Sequence, residues 1–139
     1  MKHIVALILV LMPSLLMAGH VPSVCHTELS SWIKTKQKLA IVDIQGADEF
    51  RAHNYADSLP SGNDPLRLKK IASRVRHTNG KVVVVSATGG ADAVQATEQL
   101  VRGGVKRSRI LVLEGGMEAA AKNAVCDCCK PSSLQSVPN

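Results

Sequence analysis

Two stretches of the chain hold residues whose types and spacing suit chemistry. The first is Cys126-Asp127-Cys128-Cys129, three thiols within four residues, with a fourth, Cys25, about a hundred positions earlier. Thiolates this close can share Cu(I), Zn(II) or a heavier soft ion. They can also exchange disulfides, because a neighbouring thiol resolves a mixed one. The second stretch is Ser86-Ala87-Thr88-Gly89-Gly90, followed by Ala91 and Asp92. A glycine-rich loop between a strand and a helix turns backbone N–H groups toward an anion. As a nucleophile Ser86 is poorly set. A hydrolase elbow has glycine two residues before and after the serine, and Val84 and Thr88 stand there. His53 and Asp43 have the chemistry of triad partners, but nothing in the sequence places them. A serine ending a buried strand is the simpler reading.

How the thiols behave depends on where the chain resides. Met1-Lys2-His3 is a short basic start, Ile4 to Met17 is almost wholly apolar, and Ala18-Gly19 supplies small residues for cleavage. That is the three-part pattern of a secretory signal over residues 1–18. The apolar run is interrupted by Pro13 and falls short of the roughly 20 residues of a transmembrane helix. The short basic region predicts bacterial export to the periplasm, with no stable membrane span after cleavage. Cleavage removes Lys2 and leaves sixteen Lys and Arg against eleven Asp and Glu, a net charge of +5. An oxidising compartment favours disulfides. Parity and position then make a bridge from Cys25 to the cluster the first expectation, metal binding the second and catalysis the third. A zinc knuckle would need Cys25 or His26 as fourth ligand, and the spacing fits no familiar finger. No cofactor is expected beyond a soft Cu or Zn ion at Cys126, Cys128 and Cys129.

The elements that must position these residues read as one α/β domain. Thr27 to Ile33 predicts a short helix capped by Thr27, with Leu29, Trp32 and Ile33 on one face. Leu39 to Ile44 predicts a buried strand, Ala47 to His53 a helical turn, and Leu59 to Pro65 a loop. Leu66 to Arg76 has Leu68, Ile71, Ala72 and Val75 at helical spacing. Lys81 to Ser86 is the strongest strand, β-branched almost throughout. Asp92 to Arg102 predicts a helix capped by Asp92 and ended by Gly103-Gly104. Ile110 to Leu113 is a third strand, Gly115-Gly116 a tight turn and Met117 to Ala124 a last helix. Alternation of strand and helix implies a parallel sheet, whose ligands bind beyond the carboxyl ends of the strands. The expected division is a signal over 1–18, a domain over 19–125, and a cysteine motif with a disordered tail over 126–139.

The order of these landmarks resembles a single rhodanese domain. Leu39 to Ile44 with Asp48-Glu49-Phe50 looks like that family's strand-Asp stretch and acidic-acidic-Phe helix. Val82 to Gly89 looks like the strand feeding its active loop, and Leu113-Glu114-Gly115-Gly116-Met117 like its closing double-glycine turn. The likeness covers about residues 27 to 122 and implies a three-layer α/β/α fold with a central, mainly parallel sheet. The family's sulfur transfer rests on a Cys that opens a six-residue loop commonly closed by Arg. Backbone N–H groups there stabilise the thiolate and persulfide. The matching positions are Ser86 and Ala91. A hydroxyl holds no persulfide, and Ala91 offers no cation for thiosulfate. Gln45 stands where an Arg is frequent, and His53-Asn54-Tyr55-Ala56 replaces the usual Gly-His-Ile-Pro. The resemblance therefore implies a degenerate loop that is not a sulfurtransferase in the usual way.

The expected function is an exported binding module with a thiol cluster for redox or metal contact, its partner a periplasmic protein or a small anionic ligand. The alternative is a sulfurtransferase or thiol oxidoreductase that uses the CxCC cysteines. Aromatics make up only 2% of the chain, too few for base-stacking platforms, and a periplasmic location argues further against nucleic acid. The basic helix, with Arg67, Lys69, Lys70, Arg74 and Arg76, is a solvated face or, functionally, a dock for an acidic partner or anionic lipid.

Overall fold

The computed structural model describes residues 20–122. Five strands, β1 (Ser23–Val24), β2 (Leu39–Asp43), β3 (Leu59–Pro60), β4 (Lys81–Val85) and β5 (Ile110–Leu113), form one sheet. Its order is β1-β5-β4-β2-β3 and every pairing is parallel. The helices are α1 (His26–Lys34), α2 (Ala47–Ala52), α3 (Pro65–Val75), α4 (Ala91–Arg102) and α5 (Gly116–Ala121), with a 3-10 turn at Arg107–Arg109.

Alternation along the strands divides the core in two. Val82 and Val84 of β4 join Ile110 and Val112 of β5 against Leu68, Ile71 and Ala72 of α3 and Ala93, Ala96 and Leu100 of α4. Val83, Val85 and Leu113 point the other way, onto Leu29 and Trp32 of α1 and Met117 and Ala120 of α5. A strand buried on both faces has no polar side to present, so β4 reads as an unbroken valine run. This is the three-layer α/β/α fold with a parallel sheet that the sequence predicts.

Several boundaries differ for local reasons. Cys25, in extended backbone, is the N-cap of α1 in place of Thr27. Gly90 is the N-cap of α4, and Asp92 lies inside the helix, where its Oδ1 accepts from the Ala93 N–H at 2.8 Å. The loop before α3 ends one residue early, because Asp64 Oδ1 accepts from the Leu66 N–H at 2.8 Å and Pro65 opens the helix. There Pro has no N–H to lose. Strands β1 and β3 are two residues each, too short to show a periodicity, and they complete the sheet at its two edges. No described helix is long and apolar enough to cross a membrane.

Candidate functional site

Because all strands run the same way, their carboxyl ends lie on one rim. The buried polar residues among those described are Asp43, Gln45, Ser61, Ser86 and Thr97. All but Thr97 follow or end strands on that rim, and Thr97 only returns its hydroxyl to the Ala93 carbonyl within α4. Burying polar groups costs stability unless they are paired, so their collection at one end marks the part of the molecule that packing alone does not explain.

The centre of the rim is the loop after β4. Ser86 is fully buried, and its Oγ accepts from the Gly89 N–H at 2.8 Å. No histidine or carboxylate among the described residues bonds that hydroxyl, so the triad chemistry of His53 and Asp43 is not assembled on it. The loop folds back because Gly89 has a left-handed φ of +73°, a conformation glycine adopts without steric cost. The backbone N–H groups of Ala87, Thr88, Gly90 and Ala91 have no acceptor among the described residues. Together with the start of α4 they make up the loop in which the glycine pattern predicts an amide cradle.

The β5–α5 turn is zipped onto this loop. The Met117 N–H donates to the Ser86 carbonyl and the Glu118 N–H to the Ala87 carbonyl, each at 2.9 Å. On the other side, Asp43 ends β2 in register with Val85. Its Oδ1 accepts from the Gln45 backbone N–H at 2.9 Å and its Oδ2 from Gln45 Nε2 at 3.1 Å. The same Nε2 donates to the His53 carbonyl at 3.1 Å. Gln45 thereby ties β2 to the end of α2. Burial raises the Asp43 carboxyl above its ordinary 3.8, the two Gln45 hydrogen bonds oppose that rise, and the charge of Glu49 adds to it.

Between α2 and α5 opens a cleft of about 220 Å³ lined by Gln45, Glu49, Ala52, His53, Ala87, Met117, Glu118 and Ala121. Its ionisable groups are two carboxylates and an imidazole, with no Lys or Arg. Glu49 Oε2 accepts from the Gly46 N–H at 3.0 Å, which fixes one of the two negative charges beside Gln45. A second hollow of about 380 Å³ shares Ala52, His53, Met117 and Ala121 and extends to His26 and Tyr55, whose Nδ1 and hydroxyl lie 2.6 Å apart. Sequence reasoning singled out Ser86, Gly89 and Gly90 but missed Glu118. Its closeness to Ala87 comes from the turn that docks α5, and nothing in the local sequence signals that.

Cys25 belongs to the same rim. It directly follows β1, two strand spacings or about 10 Å from the end of β4, is 1% exposed, and is disulfide-bonded. Cys126, Cys128 and Cys129 lie outside the described residues, as do the signal-like residues 1–18. Among the described residues no group of His, Cys, Asp and Glu is arranged to hold a metal.

A parallel α/β sandwich with a strand–loop–helix cradle at its carboxyl rim defines the class of the domain. The family profile described as the rhodanese-like domain matches residues 26–123, and the chain belongs to that family. Among solved structures it is similar to a rhodanese-related protein from Thermoplasma volcanium, with 22% identity, 73% of this chain and 92% of that one covered, and a TM-score of 0.57. It is also similar to the As-Sb reductase from Leishmania major, with 17% identity, 73% and 77% covered, and a TM-score of 0.63. A third is a yeast protein tyrosine phosphatase of the rhodanese family, with 19% identity, 75% and 85% covered, and a TM-score of 0.56. At these identities the likeness shows the fold alone. No curated protein matches the chain significantly.

Proposed function

We propose that the chain is an exported, catalytically degenerate rhodanese-like domain that acts by binding a periplasmic protein at the carboxyl rim. The observation that carries this reading is the Ser86 loop. By the resemblance the family's thiol falls on Ser86, whose buried hydroxyl is held by the Gly89 N–H. The next residue, Ala87, lines a cleft with Glu49 and Glu118 and without a Lys or Arg. The amide cradle would welcome a small anion, but the adjoining cleft carries two carboxylates, and Ala91 supplies no opposing charge. The apolar walls from Ala52, Ala87, Met117 and Ala121 suit an apolar or basic side chain of a protein partner better than thiosulfate. Wild type is expected to show only background thiosulfate-to-cyanide transfer. Its Ala87, Gly89 and Gly90 amide resonances should stay in place as thiosulfate is added. Saturable shifts, or activity that disappears in Ser86→Ala, would overturn the reading.

A second reading, thiol–disulfide exchange, is favoured by the bonded state of Cys25 at the start of α1. A helix N-terminus stabilises a thiolate, and so makes Cys25 a good leaving group in exchange. The partner we assign to it is one of Cys126, Cys128 and Cys129. Two thiols then remain in the cluster, enough to resolve a mixed disulfide or to chelate Cu(I), and too few for a closed four-thiolate zinc site. Non-reducing peptide mapping of protein from the periplasm should recover the Cys25 peptide linked to the 126–129 peptide. A Cys25 that alkylates freely without reductant refutes the bridge, and the metal reading then gains three or four thiols.

A further inference from the structure

We propose that the outer face of α3 docks the domain on an anionic phospholipid surface. From Pro65 to Lys81 the chain carries six Lys and Arg and no acidic residue, so the net positive charge of the protein is concentrated in one helix and its exit. Leu66, Lys70 and Arg74 follow one another at a spacing of four, a single stripe along the helix, and Arg67 lies beside it. Arg67, Lys70 and Arg74 line a groove of about 270 Å³ whose apolar walls are Leu59, Pro60 and Ile71. Arg67 is partly offset by Asp64 at 3.5 Å. Lys70 and Arg74 make no ion pair among the described residues.

The apolar residues point the same way. Among the described residues the exposed large hydrophobics are Leu66, 78% exposed, and Val94, 46% exposed. Both stand in the first turn of their helices, and those two helices form one layer of the sandwich. A basic helix with apolar residues beside the charges is the composition of a surface that lies on lipid headgroups and inserts shallowly. An acidic peptide is a weaker fit. The neighbouring strand, β3, is an edge of the sheet, but Pro60 has no N–H to donate, which blunts strand addition there. The residues that line the cleft between α2 and α5 are none of those that line this groove.

The test is co-sedimentation of the full chain with vesicles of phosphatidylcholine, with and without phosphatidylglycerol. Residues 1–18 are the same in wild type and variants, so the charge-reversed variant separates binding through α3 from binding through them. Binding should require phosphatidylglycerol and collapse at about 1 M salt, where the Debye length is about 3 Å. Lys70→Glu with Arg74→Glu should weaken it by at least about tenfold, on a scale of roughly fivefold for each charge at such a surface. Leu66→Ser should weaken it less and leave the salt dependence in place. All these positions are exposed, and an unchanged Tm in the variants confirms that the fold is kept. Equal binding to both vesicle types, or full binding by the charge-reversed variant, overturns the proposal. So does displacement by millimolar inorganic phosphate, which makes the groove a free-anion site. Tighter capture of polyglutamate than of the anionic vesicles would assign the face to an acidic protein instead.

Discussion

Ser86→Cys combined with Ala91→Arg is expected to give a protein that takes sulfur from thiosulfate, where wild type shows background only. A thiol at position 86 would sit where the Ser86 Oγ accepts the Gly89 N–H, at the start of α4. That environment lowers a thiol pKa from its usual value of about 8.5. The thiolate attacks the outer sulfur of thiosulfate, an S–S bond forms, and sulfite leaves with the electron pair. Cyanide then removes that sulfur as thiocyanate and restores the thiolate. Position 91 is exposed and opens the helix, so a guanidinium fits there without disturbing the core and supplies a cation at the end of the loop. Removing one preorganised oxyanion donor typically costs about 10²–10³ in rate. Adding Arg to the Ser86→Cys single variant should therefore raise transfer by roughly a hundredfold on that scale. Glu118→Gln on top should add only a small factor, because that carboxylate is exposed and screened by solvent. Intact mass should show one added sulfur atom after thiosulfate and its loss after cyanide. A folded double variant that stays at background would mean that the cradle amides do not address the sulfur.

What was legible in the sequence follows from the length scale of each signal. The valine run of β4 and the helical spacing of Leu68, Ile71 and Val75 each span enough residues to declare an element, and both stand where expected. Thr27 and Asp92 have good capping side chains, yet the chain turns earlier, at Cys25 and Gly90. A cap is chosen by where the preceding strand ends, which propensity does not contain. The two-residue strands β1 and β3 exist only because a longer neighbour offers an open edge. At the site, Ser86, Gly89 and Gly90 lie within five residues and could be found by reading along the chain. The charges of the cleft beside them, Glu49 and Glu118, come from two helices far apart in the chain. Their meeting decides the electrostatics of the cleft, and it is visible only once Met117 and Glu118 are seen to bond the loop carbonyls.

Gly116→Ala is expected to be the most damaging small substitution at the rim, and it would act on the loop rather than on α5 alone. Gly116 has a left-handed φ of +61°, which an L side chain adopts only with strain. A Cβ there would lie 2.4 Å from the Ala87 carbonyl oxygen and 2.5 Å from that of Ser86. Those two carbonyls accept the Met117 and Glu118 N–H groups, so the turn cannot retreat without breaking the bonds that fix the loop. Strain plus two lost hydrogen bonds places the cost at about 3 kcal/mol or more. In a domain of this size that is a fall in Tm of roughly 12–24 °C. Gly46→Ala is the control: its φ is −61° and the nearest atom to a new Cβ is Glu49 Oε2 at 3.4 Å. A change within about 1 kcal/mol is expected there. The same Gly116→Ala change, placed in the Ser86→Cys, Ala91→Arg protein, should abolish the transfer that protein gained, measured well below its lowered Tm. Retained transfer at a lowered Tm would mean that the turn stabilises the domain without shaping the loop, and the contact between the two would then be packing only.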